Sequence, residues 1–404
     1  MKHLLVEKFS ELNAILERFF QSEATRRSIP KKTIDEEKEV FDLACQIYKR
    51  GFLSESSFLS KNLHTKKSYE KPSPSLFQKK FSQKEIFVLV DEGFSQHHPE
   101  MQSSFSLKPS ESMKNLNTIE KILSAIPNHT QEIFVMGGGI TLDMGGFIAG
   151  LLNLPLESVP TTLLSAVDAS VGGKTGVNFF PYGKNQVGLF YEPCRLYFEP
   201  EFLKTLSYED RCCGVVEASK HAYLFGEFER DLPLFEKILS NTISNSELFQ
   251  LVDKNFQYKT SVVQQDPQEK TGLRECLNFG HTFAHVLEGL AQGGAIKPIS
   301  HGVAVAYGMD FLLKQGLVPQ KENFSKFLER LLHPFPLVFQ KKISKDDLLF
   351  FLRQDKKNRH EGLCALSLVS YGCPSFQGTQ NFPIQDVVSW MFDYLGLFQR
   401  PLTK

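Results

Sequence analysis

Short apolar runs that stop at an acid or a glycine recur in the first half of the chain. "EIFVLVDEG" (85–93) and "EIFVMGGG" (132–139) each hold an unbroken apolar stretch rich in branched side chains, and both read as buried strands. Between them, "MKNLNTIEKILSAI" spaces Leu116, Ile119, Leu123 and Ile126 at helical intervals. The second strand runs into three glycines and then the apolar "GGFIAGLL". Next, "LESVPTTLLSAVDASVGGKTGVN" continues with a strand into Pro160 and then a polar turn. Strand, helix, strand, glycine turn and helix is the order of an α/β unit with a parallel sheet. From about Pro200 the period changes to 3.6 residues, as in "EFLKTLSYEDRCCGVVEASKHAYLFG", "LNFGHTFAHVLEGLA", "HGVAVAYGMDFLLKQG" and "SKDDLLFFLRQDKKN". That half predicts a helical domain, and no repeat at a fixed period is evident. At the start, "MKHLLVEKFSELNAILERFF" is an amphipathic helix with Glu and Lys through its apolar stripe. The later "SKNLHTKKSYEKPSPSLFQKK" reads as linker or exposed loop.

A length of 404 residues exceeds one ordinary core and sets two domains as the starting expectation. Hydrophobic residues at 41% and charged residues at 23% fit a soluble globular protein. A formal net charge of zero argues against a general nucleic-acid or anionic-membrane binder. No apolar run is long enough to span a bilayer, and the charged N-terminal stripe does not read as a signal peptide. The seven cysteines lack metal-type spacing and read as reduced thiols of a cytoplasmic protein.

Three groups of residues carry candidate chemistry. The first is the glycine turn of "MGGGITLDMGG" (136–146). After a parallel strand, such a turn either serves only to reverse the chain or offers its amides and a helix N-terminus to phosphate, with Asp143 able to cap amides or meet a ribose hydroxyl. It is not the G-x-G-x-x-G fingerprint. The second group is His281 and His285 of "GHTFAH", four apart on one helix face, with His301 opening another helix and Glu217 on a third, Lys220 one turn away. Two histidines and a carboxylate suit an open zinc site, although each histidine is also a candidate hydrogen-bonded core or surface residue. Thr282 stands where the H-E-x-x-H motif needs glutamate, so that protease motif is absent. The flanking Gly280 and Gly302 suggest close packing around the imidazoles. The third group is basic. Lys174, Lys184 with Asn185, Lys356 and Lys357, and Arg274 one turn before Asn278 are either solvated charges or anion ligands held by short turns.

Taken in order, "GGGITLDMGGFIAG", "VPTTLLSAVDASVGGKTGVN", "GKNQVGLFYEP", "GVVEASKHAYL", "GLRECLNFGHTFAHVLE", "HGVAVAYGM" and "DKKN" resemble the sugar-phosphate cyclases, and the 3-dehydroquinate synthase family most closely. The resemblance covers roughly residues 85 to 370. It implies an α/β + α fold: an N-terminal Rossmann-like parallel-sheet NAD-binding domain at 85–199, then a mainly helical metal- and substrate-binding domain at 200–404, after an atypical extension at 1–84. The implied NAD contacts are Asp91, Glu111, Lys114, Gly137, Gly138, Gly139, Asp143, Thr161 and Thr162. The implied metal ligands are Glu217, His281 and His301, holding Zn2+ or Co2+. Substrate contacts fall on Asp168, Lys174, Lys184, Asn185, Lys220, Lys259, Arg274, Asn278, His285 and Lys357, with Lys356 the alternative to the last. The implied reaction converts 3-deoxy-arabino-heptulosonate 7-phosphate to 3-dehydroquinate and phosphate, a step of the shikimate pathway toward the aromatic amino acids. It proceeds through transient oxidation by NAD, phosphate elimination, reduction, ring opening and aldol closure.

The chain departs from the family pattern in four places. An arginine expected near Leu154 is missing from "GLLNLPLESVPTT", which leaves the phosphate grip and a homodimer open. Val303 replaces the glutamate of "HGEAV". The stretch between Asp91 and Glu111 looks too short for a helix and a strand, and the extension is unusual. Another cyclase making a different cyclitol, a polyol dehydrogenase of related fold, and a non-catalytic homologue are the alternatives. Lys174, Arg274 and Asn278 favour a carboxylated substrate.

Overall fold

The computed structural model describes residues 68–398 apart from 74, 102, 180–182, 268, 270, 355–361 and 373–378. The N-terminal amphipathic helix expected from the sequence lies outside the described residues, as do Lys356 and Lys357. The chain folds as two units, one formed by residues up to 159 with 173–197, the other by 160–172 with 198 onward.

In the first unit, Leu76–Ser82 is a helix, α1, where the sequence suggested a loop. Its apolar face explains the difference. Phe77 and Phe81 pack around Phe134 at ring-centroid distances of 6.4 and 6.5 Å. Lys80, almost out of water, pairs with Glu132 at 2.5 Å and Glu157 at 2.8 Å. Next come β1 (Ile86–Asp91), α2 (Glu92–His97), β2 (Phe105–Leu107), α3 (Leu116–Ala125), β3 (Glu132–Gly137), α4 (Gly139–Leu152) and β4 (Leu156–Pro160). The antiparallel hairpin β5 (Lys174–Phe179) and β6 (Gly183–Phe190) and the short β7 (Arg195–Leu196) complete the unit.

Five strands form one sheet in the order β2-β1-β3-β4-β7, and the β1–β2, β1–β3 and β4–β7 pairs are parallel. Phe87, Leu89, Ile119, Ile122, Val135 and Phe147 are central to the core on the helical side. The stretch after Asp91 does hold a helix and a strand. Asp91 caps α2 by accepting from the amides of Gly93 at 2.9 Å and Phe94 at 3.3 Å, which lets six residues close as a helix. The three residues of β2 then suffice to pair with β1.

The second unit is mainly helical: α5 (Tyr208–Leu224), α6 (Phe228–Leu239), α7 (Asn245–Gln265), α8 (His281–Gln292), α9 (His301–Lys314), α10 (Glu322–Leu332), α11 (Lys345–Gln354) and α12 (Ile384–Gly396). A hairpin of β8 (Leu363–Ser367) and β9 (Thr379–Pro383) interrupts the helices, which the 3.6-residue pattern did not foretell. α5 is buried on every side from Cys212 to Leu224, and α9 from Gly302 to Leu313. Helices without a solvent face belong at the centre of a bundle, so the polar residues they carry need a reason. Among the described residues, no helix is long and apolar enough to cross a membrane.

Candidate active site

Glu217 is fully buried in the middle of α5, and its carboxylate oxygen Oε1 lacks a hydrogen-bond partner. The Lys220 ammonium, one turn along, forms an ion pair with Oε2 and donates to the Leu277 carbonyl at 2.6 Å. His281, first residue of α8, brings Nε2 to 3.6 Å from Glu217 Oε1. His301, first residue of α9, brings Nε2 to 3.9 Å from the same oxygen. One ligand atom from each of the three residues lies within 4.8 Å of the other two. Adjacent ligand atoms around a tetrahedral zinc stand about 3.4 Å apart, so the triad is slightly wide but fits an ion of that size. A buried carboxylate with one unsatisfied oxygen and two imidazoles is a donor set for Zn2+ or Co2+.

Backbone contact between helices sets this geometry. A Cβ on Gly302 would meet Cys213 Cα of α5 at 2.4 Å. A Cβ on Gly308 would meet the Gly280 carbonyl oxygen at 1.9 Å, and Gly280 itself has φ of 82°. The glycines beside His281 and His301 therefore allow α8 and α9 to start where their histidines face Glu217.

A second cluster adjoins the triad. Asp168 lies in a π-helical turn at Ser165–Ala169 and accepts from Lys259 Nζ of α7 at 2.8 Å. Burial alone would raise the Asp168 carboxyl. The ammonium of Lys259, with Lys220 and His221 adding to it, instead holds it well below the usual carboxylate range. Burial also lowers the Lys259 ammonium, against the pull of Asp168. His221 is fully buried and donates Nδ1–H to Asn255 Oδ1 at 3.2 Å, in the tautomer the amide orientation requires. Its Nε2 stands 3.8 Å from Asp168 Oδ1. Burial, then the charge of Lys220, depress its pKa to about 3. Arg274 is buried in a 3-10 turn (Leu273–Asn278) and donates to the carbonyls of Pro267 and Gly172, both at 2.9 Å. It braces the loop that carries Asp168 back toward β5. Asn278 ends that turn half-buried, and His285 is exposed one turn beyond His281, their ring centroids 6.0 Å apart. Thr161 is buried, and Thr162 Oγ1 accepts from the Ser165 amide at 3.1 Å at the start of the π turn.

The first unit gathers another set of expected residues. Lys114 is buried and donates to Asp143 Oδ2 and Asn185 Oδ1, both at 2.5 Å. Asn178, fully buried, donates to Glu111 Oε2 at 2.7 Å and accepts from the Asn185 amide at 2.9 Å. Lys184 Nζ lies 3.7 Å from Glu111 Oε1, and Lys174 is exposed at the start of β5. Asn178 was not singled out from the sequence, although a polar residue inside the strand "TGVNF" was a readable signal.

Gly138 is the N-cap of the 14-residue α4 and makes no side-chain cap hydrogen bond. Gly137 is required sterically, since its Cβ would lie 2.7 Å from that of Thr141. Asp143 does not cap the helix; the Lys114 ammonium takes it instead. Asp91 reaches the same turn: burial raises its carboxyl, and the amides of Phe94, Gly93 and Gly138 oppose the rise. A helix N-terminus whose N-cap is glycine, after a parallel strand, fits a pyrophosphate.

Leu154 lies in a tight connection after α4, where its carbonyl accepts from the Tyr191 hydroxyl at 2.7 Å. Val303 is buried in the first turn of α9.

Family patterns match the larger part of this described region. The pattern for the N-terminal part of 3-dehydroquinate synthase matches residues 104–212, and that for its C-terminal part matches residues 214–358. The chain is 39% identical over 270 residues to the 3-dehydroquinate synthase of Campylobacter jejuni subsp. doylei, covering 63% of this chain and 75% of that protein. It is 34% identical over 280 residues to the 3-dehydroquinate synthase of Methylacidiphilum infernorum, covering 67% of this chain and 75% of that one. A 2-epi-5-epi-valiolone synthase from Streptomyces hygroscopicus, solved with NAD+ and Zn2+ bound, superposes with a TM-score of 0.64 at 22% identity. That match covers 83% of this chain and 98% of the other, and it speaks for the fold. Sequence relatives and paired family patterns agree that the chain belongs to the 3-dehydroquinate synthase family.

Proposed function

We propose that the protein is a cyclase that converts 3-deoxy-arabino-heptulosonate 7-phosphate to 3-dehydroquinate and phosphate, using NAD and a divalent metal. The observation that carries the reading is the meeting of His281 and His301 at Oε1 of the buried Glu217, an oxygen with no hydrogen-bond partner. These three residues would hold Zn2+ or Co2+, and the amides at the start of α4 would take the dinucleotide pyrophosphate. When bound, the metal supplies Lewis acidity to a carbinol oxygen and the nicotinamide supplies reversible hydride acceptance.

The chain's own residues supply position and charge. Lys220 sets its side-chain nitrogen against Glu217 in a dry environment, where an ion pair counts for more than in water. Lys259 keeps Asp168 ionised, so its carboxylate stays an acceptor for a substrate hydroxyl. Arg274 and Gly172 fix the loop on which Asp168 is carried. His285, exposed beside His281, would hold or pass a proton at its imidazole. In the first unit, Lys174 and Lys184 are cations suited to an anionic substrate. Elimination of phosphate next to a transient ketone needs mainly neutralised charge and fixed geometry, which such residues provide. A cytoplasmic setting belongs to the same reading: Cys212, Cys213 and Cys276 are buried thiols.

The test is purified protein with NAD, zinc and the heptulosonate phosphate. The expected result is phosphate release matched to substrate with no lasting NADH absorbance. Release only from a seven-carbon ketose phosphate lacking the carboxylate would assign a different cyclase. No release from either substrate, with zinc bound, would overturn the catalytic reading.

A further inference from the structure

α8 carries His281, His285 and Glu288 at i, i+4 and i+7, a polar stripe on a helix whose Phe283, Val286, Leu287 and Leu290 are buried. Glu288 has a side chain only 10% exposed, and its Oε1 lies 3.4 Å from His301 Nδ1. That nitrogen is the one His301 does not turn toward Glu217; its Nε2 faces the triad. His281 has a different partner, since its Nδ1 stands 3.3 Å from the Phe279 carbonyl oxygen. A neutral imidazole binds metal through one nitrogen and carries its proton on the other, and the acceptor for that proton fixes both tautomer and ring angle.

We propose that Glu288 is a positioning residue of the metal centre: it accepts the Nδ1 proton of His301, holds the Nε2 lone pair toward Glu217 and His281, and strengthens it as a donor. The inference rests on the triad being a metal centre. Three observations favour it over an incidental surface ion pair. The carboxylate is largely out of water, where an ionised oxygen needs a donor. The two histidines begin their helices with different supports, a neutral carbonyl for His281 and a carboxylate for His301. Finally, the contact at Gly280 and Gly308 holds α8 and α9 close enough for a side chain of one to support a ligand on the other.

The experiment titrates zinc into the metal-free full-length protein against a competing chelator, for wild type, Glu288→Gln, Glu288→Ala and Glu217→Ala. The visible spectrum of the cobalt-loaded protein and the melting temperature of the metal-free protein are recorded for each. Wild type is expected to bind one zinc, and Glu217→Ala to lose tight binding. Glu288→Ala should bind roughly 10- to 100-fold more weakly, with altered cobalt bands. Glu288→Gln should recover much of the affinity, because its amide oxygen still accepts the Nδ1 proton, and metal-free melting should change little in either. Zinc affinity in both Glu288 variants within twofold of wild type would overturn the inference while leaving the metal centre standing. A wild type that binds no zinc would remove the metal centre, and this inference with it.

Discussion

His221 shows how a single buried side chain couples this fold to pH. In the unfolded chain its imidazole titrates near 6.5, whereas burial and Lys220 bring the folded value to about 3. Between those values the unfolded state binds the proton and the folded state does not, so stability rises with pH across that window. The limiting slope is about 1.4 kcal/mol per pH unit. Asp168 acts in the same sense at lower pH: its depressed folded value gives stability that is present above 3.8 and lost as pH falls further. His221→Gln should flatten the dependence of urea-unfolding stability on pH between about 4.5 and 6.5, relative to wild type. Residue types and spacing marked Glu217, His281, His285 and His301 as candidates, with glycines beside the histidines signalling crowding, and the family resemblance singled out Glu217, His281 and His301. Glu288 was not legible. At i+7 from His281 it looks like any solvated position on a helix, and only the crossing of α8 with α9 reveals what it faces. Arg274 was legible as a charge one helical turn before Asn278, but not as a brace for Gly172, which lies far away in sequence.

At the scale of elements, close helix contacts hold the centre together. Gly302→Ala would place a methyl group 2.4 Å from Cys213 Cα, a backbone atom that cannot rotate aside. The start of α9 must then shift, at a cost of about 1–3 kcal/mol. Because His301 precedes that glycine, zinc affinity should fall along with stability; urea unfolding and chelator competition measure the two effects. The strands β1 and β3 and the helices α3, α4, α8 and α9 were visible as unbroken apolar runs or as 3.6-residue spacing. α1 was hidden by its Lys-, Ser- and Pro-rich neighbourhood, since its stability comes from Phe134, Glu132 and Glu157 of distant strands. The β8–β9 hairpin was hidden for a related reason: short strands in a helical context carry little periodic signal, and their pairing is fixed by register across the hairpin.

For the whole molecule, a metal that binds only the folded second unit adds to that unit's stability by mass action. Zinc at a thousand times its dissociation constant should raise the unfolding free energy of that unit by about 4 kcal/mol. Calorimetry should show the gain in wild type and none in Glu217→Gln, and treatment with a chelator should reverse it.

The excursion of residues 160–172 has a practical consequence for dissecting the protein. These residues leave the sheet unit after β4, deliver Asp168 to Lys259 and His221, and return to begin β5. A gene divided once, between codons 197 and 198, would therefore not yield two self-sufficient halves. The helical fragment would lack the carboxylate that neutralises a buried ammonium, and the other fragment would carry an orphaned loop. Supplying the missing loop on the same polypeptide, by circular permutation or a designed linker, is the way such a fragment would regain its charge balance.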